Sequence, residues 1–169
     1  LWVGTYYGGV SVFSPESRIF KYYPANKERS DCLNFPFVSG IVKDKRDDLW
    51  ICTDGGGLNY MNHKTEIFRH LSTKDSGLVA DNMKSICYDK NKDKLYIGTY
   101  LSGLIAYDIP SGKFTKCFKS PKDRVLHHTV THVYMYGDKI VFSSSDGIYV
   151  FNEKTNEVTP LLCIKGVLA

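Results

Sequence analysis

Nowhere do about 18 apolar residues run together, so no segment has the length of a membrane-spanning helix. No stretch keeps the 3.6-residue periodicity of an amphipathic helix either, which sets aside helical repeat folds. Cysteine occurs five times, at Cys32, Cys52, Cys87, Cys117 and Cys163, never as Cys-x-x-Cys, so the usual dithiol and zinc-ribbon patterns are missing. A Gly-x-Ser-x-Gly nucleophile elbow is missing too. The formal charge is only +4, and the lysines are scattered among aspartates. That leaves no continuous basic stripe for nucleic acid. No signal peptide is visible, but Leu1 already lies in an apolar run, so the chain is expected to begin inside a strand whose predecessors belong to a longer protein.

What the sequence does have is aromatic and β-branched residues and a repeat. Twelve Tyr, nine Phe and two Trp accompany a hydrophobic fraction of 43%, which favours strands in an ordinary globular chain. The phrases "LWVGTYYGGVSVF", "LWICTDGGGLNYM", "LYIGTYLSGLIAY" and "IVFSSSDGIYVF" begin at Leu1, Leu49, Leu95 and Ile140. Each is followed by a short turn ("SPES", "NHKT", "IPSG", "NEKT") and a further run such as "EIFRHL". The last three are preceded by "FVSGIVKD", "MKSICYDK" and "TVTHVYMY". One unit is therefore four short strands, A to D, at a period near 45 residues. That is the signature of a β-propeller blade. The reading is an all-β chain of about fifteen strands in about four four-stranded antiparallel blades. Residues 1–169 form a partial propeller, with blade repeats starting near 1, 49, 95 and 140 and both ends cut within it. Leu1 opens strand B of a blade whose strand A is absent. Blade faces left uncovered are expected to make the fragment self-associate, or else close as a small four-bladed propeller.

Three chemical leads dissolve on context. "TDGGG" suggests a phosphate loop, but a strand pattern follows it instead of a helix N-terminus, so it is a B–C hairpin turn. "DKNKDK" opens like a calcium loop, yet Lys94 stands where Gly belongs and Tyr100 where the bidentate Glu belongs. His127, His128 and His132 crowd one stretch, but His128 and His132 would sit about 13 Å apart along a strand, with no acidic or sulfur ligand nearby. No metal and no cofactor are expected.

The string "LW-I/V-G-T…GGL…Y", preceded by "I…D…(D/G)-x-LW", resembles the two-component regulator propeller repeat. The resemblance spans nearly the whole chain and is weakest in the last unit, where "IVFSSSDG" replaces the usual phrase. It implies a periplasmic sensor region of a hybrid two-component protein, part of a propeller that is typically seven-bladed. It further implies an oligosaccharide ligand, with a histidine kinase outside this chain. Two other classes stay open: a scaffold or dimerisation propeller, and a propeller polysaccharide lyase or hydrolase with carboxylates converging from separate blades.

In a four-stranded blade the D–A connections and B–C turns leave at one end, and the A–B and C–D turns at the other. The second end carries "DKRDD", "DKNKDK" and "NEKT" and reads as a solvated charged face. The first carries Tyr6, Tyr7, Asp54, Tyr100 and Asp146 in short turns, and Phe35, Phe37, Asp81, Asn82, His127 and His128 in long connections. Tyrosine offers an apolar plate with a polar tip, and carboxylates and amides bond sugar hydroxyls. Tyr6, Tyr7 and Tyr100 with Asp54, Asn82 and His128 are therefore the candidate ligand set, against the alternative that these tyrosines pack onto neighbouring blades. Cys52 stands where Gly4 and Gly98 stand in sister repeats, and Cys87 sits among strand-A apolar residues, so both are expected to be buried and reduced. Titration of the denatured, unreduced protein is expected to find most of the five thiols free; fewer than two free would contradict this.

Overall fold

The computed structural model describes residues 1–5, 7–13, 20–74, 76–117 and 129–163. The chain divides into two compact units, Leu1–Met83 and Lys84–Ala169. Among the described residues all regular structure is strand, fifteen in number, as the repeat predicts.

The first unit holds two blades. One is a three-stranded sheet of β1 (Trp2–Thr5), β2 (Gly9–Phe13) and β3 (Phe20–Tyr23), which correspond to strands B, C and D. The other is the complete sheet β4 (Val38–Lys43), β5 (Leu49–Thr53), β6 (Gly57–Met61) and β7 (Phe68–Leu71). The second unit, from the second residue of β8 (Met83–Asp89) onward, holds that strand with β9 (Lys94–Thr99), β10 (Leu104–Asp108) and β11 (Lys113–Lys116), then β12 (Val130–Tyr136), β13 (Lys139–Ser144), β14 (Gly147–Asn152) and β15 (Glu157–Cys163). Every pairing within the four sheets is antiparallel between consecutive strands.

In the second and third blades strand B is the buried centre, because apolar residues there point to both faces; in the last blade only Ile140 and Phe142 of strand B are buried. All of β5 is buried, and so is β9 apart from Lys94. Within each unit the two blades share one core. In the first, Val10 and Tyr23 meet Leu49, Ile51, Met61 and Phe68, with Trp2 stacked on Tyr23 at 5.8 Å between ring centroids. In the second, Tyr96, Leu104 and Ala106 meet Val133, Ile140, Phe142 and Phe151. The glycine in strand B makes that close approach possible. A Cβ on Gly4 would lie 2.5 Å from Val38 Cγ1 of the next blade's strand A, and one on Gly98 would lie 2.6 Å from the Val130 carbonyl. Cys52, at the equivalent place, is fully buried, and burial pushes its thiol well up. Cys32, Cys87 and Cys117 are also buried and free, with the Cys87 thiol raised to about 12 by burial.

The B–C turn explains the repeated threonine and glycine. Thr5, Thr53 and Thr99 each close their turn by donating Oγ1 to the carbonyl of Gly9, Gly57 or Gly103, at 3.2, 3.0 and 2.7 Å. Those three glycines share a left-handed φ of 77°, 77° and 74°. Gly9 and Gly57 are also pressed against strand D, where a Cβ would come within 3.0 Å of the Tyr23 or Leu71 carbonyl. The last blade breaks the pattern: its turn is one residue shorter, and Ser144 donates to the Thr129 carbonyl at 2.9 Å instead. This is the physical content of its weaker repeat.

The A–B and C–D end is not the fully solvated face expected from its charges. Asp44, Asp48, Asp89 and Asp93 are only 3–6% exposed. Asp44 accepts from the backbone N–H of Arg46 and Asp48 and, at 3.0 Å, from Trp50 Nε1. Asp48 accepts from the Tyr60 hydroxyl at 2.6 Å and the His63 N–H at 2.9 Å. Asp89 caps Asn91 and Lys92, and Asp93 takes the Tyr88 hydroxyl. A short acidic side chain satisfies turn amides that would otherwise be stranded, so these residues turn inward. In the second unit Glu153 of the β14–β15 turn accepts from Lys92 Nζ at 2.7 Å and Lys94 Nζ at 2.6 Å, tying its two blades together. Burial would raise the Glu153 carboxyl, but these hydrogen bonds outweigh it and hold it down at about 2.

Two predictions follow from these contacts. Gly57→Ala is expected to cost well over the ~1–2 kcal/mol of a left-handed backbone alone. Gly77→Ala, at φ 71° with nothing within 4 Å, should cost only that ~1–2 kcal/mol; equal losses in urea denaturation would contradict the strand-D contact. Because the Glu153 carboxyl lies below its ordinary 4.5, its stabilisation is complete above that pH and is lost as pH falls toward about 2. Glu153→Gln should therefore lower stability at pH 7 and flatten its acid dependence over this window. An unchanged slope would show that the Lys92–Glu153–Lys94 bridge contributes nothing.

Candidate functional site

At the D–A and B–C end of the first unit, the long connection between β3 and β4 straps across the second blade. Leu33 and Cys32 anchor it as buried residues, and Leu33 forms a bridge with Ala25. Its backbone reaches the outermost strand, where Phe68 N–H donates to the Ser30 carbonyl at 2.7 Å and His70 Nε2 to the Cys32 carbonyl at 2.9 Å. Asn34 N–H donates to Asn59 Oδ1 at 3.1 Å, and Asn34 Nδ2 to the Gly56 carbonyl. The strap is thus tied to the blade from its centre to its edge.

The aromatic residues of the strap form a ledge. Phe35 and Phe37 meet edge to face at 5.3 Å, and Tyr7 meets Phe37 edge to face at 4.6 Å. Tyr7 is 74% exposed, so it is a surface plate and not a core residue. The ledge sits on the glycine turn: a Cβ on Gly55 would lie 2.7 Å from the Phe35 ring, and Gly55 has a φ of 127°. Asp54 N–H donates to the Phe37 carbonyl at 2.8 Å, which fixes the turn to the strap. On its other side the turn is held by the β7–β8 connection. Gly55 and Gly57 N–H both donate to the Asp81 carbonyl, Asp54 and Asn82 form a bridge, and Asn82 Nδ2 donates to Asp54 Oδ1 at 3.2 Å.

Between strap, turn and β7 lies a half-open cleft of about 570 Å³. Asn34, Phe35, Gly55 and Gly56 line it from the strap and turn. His70, Ser72 and Asp81 line it from β7 and the connection beyond, and Lys27, Glu28 and Lys74 are its exposed charged groups. Both Asp81 carboxylate oxygens are already engaged, by the N–H and hydroxyl of Thr73 at 2.8 and 2.7 Å. Among the described residues Asn34 Oδ1 is buried with no hydrogen-bond partner.

Of the six candidate residues, the first unit gathers three. Tyr7 reaches Asp54 and Asn82 through Phe37. Tyr100 belongs to the second unit, where it is 49% exposed with Lys84 Nζ 5.5 Å from its ring centroid. Tyr6 and His128 lie outside the described residues, as does His127. Asp146, assigned to the same surface by the repeat, is instead 7% exposed and accepts from the Tyr149 hydroxyl at 2.6 Å. His132 is exposed on β12 beside Thr131 and Ser143, and no group of three metal-ligating side chains occurs among the described residues. The sequence gives no sign of Asn34 of the strap or of His70 on β7. Their role depends on a chain path that no local pattern encodes.

No family model matches the chain. The structure is similar to the extracellular domain of BT3049, named as a hybrid two component system of B. thetaiotaomicron. The TM-score is 0.82 at 24% identity, over 96% of this chain and 22% of that one. It is also similar to the extracellular domain of BT4673 from the same organism, with a TM-score of 0.75 at 18% identity, over 97% of this chain and 21% of that one. In sequence, 118 residues are 26% identical to the PAN2 catalytic subunit of the PAN2-PAN3 deadenylation complex of Eremothecium gossypii, covering 68% of this chain and 9% of that protein. The chain thus spans about a fifth of the solved domains and under a tenth of that relative. Likeness at this level to proteins so differently named is likeness of fold. The chain is built of β-propeller blades of the kind found in the extracellular domains of hybrid two component systems.

Proposed function

We propose that this chain is a segment of the ligand-sensing propeller of a hybrid two-component sensor. It lies in the periplasm, binds an oligosaccharide at its D–A and B–C end, and signals through a shape change to a histidine kinase outside the chain. The observation that carries this reading is the aromatic ledge of exposed Tyr7 on half-buried Phe37 and Phe35, beside the Asp54–Asn82 pair. Aromatic plates adjoining a few fixed polar groups are the composition of a small-molecule site, and apolar ring faces with hydrogen-bonding neighbours suit a sugar's two kinds of surface. Blade similarity to extracellular sensor domains supports the class and the compartment. The remaining blades and the kinase are the partners this role requires.

A second reading, an assembly or dimer surface, is favoured by the last blade. Tyr134 and Tyr136, two residues apart on β12 and so on one face of the sheet, are 67% and 72% exposed. An exposed pair of tyrosines on one strand face suits a protein contact.

The sensor reading is tested in cells carrying the full-length gene, by reporter induction with oligosaccharides. Replacing Tyr7 and Tyr100 by Ala is expected to abolish induction while the circular dichroism of the purified protein stays unchanged. Full induction with unaltered ligand sensitivity would remove the site from these residues.

A further inference from the structure

The cleft next to the ledge has a charge pattern that selects among saccharides, given the reading that this surface binds one. Four charged side chains border it, and they balance: Lys27 and Lys74 against Glu28 and Asp81. Neither Lys27, Lys74 nor Glu28 has a side-chain partner among the described residues, so all three are available to a ligand. An acidic sugar would meet the two lysines only by bringing its charge up to Glu28 and Asp81 as well. A cation would meet the reverse. A ligand with hydroxyls and no net charge can donate to Glu28 and accept from the lysines without leaving any charge opposed.

Three further features fit the same class. The cleft volume lies within the roughly 300–1,000 Å³ usual for small-molecule sites, so it has room for sugar rings. Its surface includes the apolar ring of Phe35, held by Gly55 behind it. Asn34 Oδ1 is a buried acceptor with its partner missing, and a buried polar atom of this kind costs stability until a donor reaches it. Asn34 Nδ2 donates to the Gly56 carbonyl and the Asn34 backbone N–H to Asn59 Oδ1, which holds the residue against the blade with its side-chain oxygen unpaired.

We infer that this cleft, walled by the β3–β4 strap, binds an uncharged sugar unit of the oligosaccharide, laid against Phe35, with its hydroxyls shared among Lys27, Glu28 and Lys74. The inference rests on the sensor reading and goes beyond it by naming the ligand's charge class and placing one of its rings on the second blade.

The test is calorimetric titration of the full-length extracellular region with two sets of probes. One set is neutral xylo-, manno-, gluco- and arabino-oligosaccharides; the other is oligogalacturonate and a sulfated glycosaminoglycan fragment. A neutral probe should bind, and the acidic probes should bind at least tenfold more weakly. Phe35→Ala should weaken the neutral probe at least tenfold. Since that change also removes a packing contact, Lys74→Ala at an exposed position is the second variant, expected to weaken binding at least threefold with unaltered thermal stability. Glu28→Lys should raise affinity for the acidic probes. Tighter binding of an acidic probe by the unaltered protein would overturn the inference and leave the sensor reading standing. So would neutral binding that survives both Phe35→Ala and Lys74→Ala but is lost in Tyr7→Ala. Failure of every probe to bind would overturn both.

Discussion

The B–C turn is the constraint on which each regular blade depends. A threonine at the end of strand B donates across the turn to a glycine carbonyl, and that glycine takes a left-handed backbone. For Gly57 the left-handed angle is only half the requirement, since its Cα lies against the Leu71 carbonyl of strand D, where no side chain fits. The turn therefore sets hairpin register and outer-strand distance at once. Once strands B and C are in register, the apolar residues of β5 fall on both faces of the sheet and are buried there. Repeat proteins gain stability from such units only when neighbours cover their faces. Gly4 and Gly98 allow that cover by letting the next blade's strand A come close.

From this constraint follows the difference between the two ends of a blade. At the A–B end of the second and third blades the turns are longer and charged, and buried aspartates satisfy their amides from within. Asp44 holds the Trp50 indole and Asp48 the Tyr60 hydroxyl, so the acidic residues there consume their own bonding capacity. At the B–C end of the second blade the turn is closed by Thr53 and by the Asp81 carbonyl, and exposed side chains such as Tyr7 and Lys74 lie around it. The acidic side chains of one end are used up inside their own turns, and the other end has side chains left to bind with. That division is the physical basis for placing a ligand at the B–C end.

The architecture could be read from the sequence because its determinants are local. Spacing, strand-B apolar runs and turn glycines recur in each unit, and the three-stranded first sheet follows from Leu1 opening a strand B. The weak fourth repeat also had a legible cause, Ser144 in place of threonine with a shorter turn. Burial of Asp44, Asp48, Asp89 and Asp93 was not legible, since a charged tract looks the same whether its carboxylates face water or turn inward to backbone amides. The cleft was not legible either. Asn34 and His70 are 36 residues apart in the chain and line one cleft only because the strap crosses the blade. Tyr7, Asp54 and Asn82 could be foreseen as neighbours because each occupies a repeat-defined turn or connection.

The central claim is that ligand binding belongs to the B–C end and not to the A–B turns, whose aspartates are turned inward. Hydrogen–deuterium exchange of the full-length extracellular region, with and without a saturating oligosaccharide, measures both ends at once. Slowed exchange confined to the strap around residues 34–37 and the turn at 54–57, with the A–B turns at 44–48 and 89–93 unchanged, is the predicted result. Protection at those A–B turns with none at the strap would contradict the account.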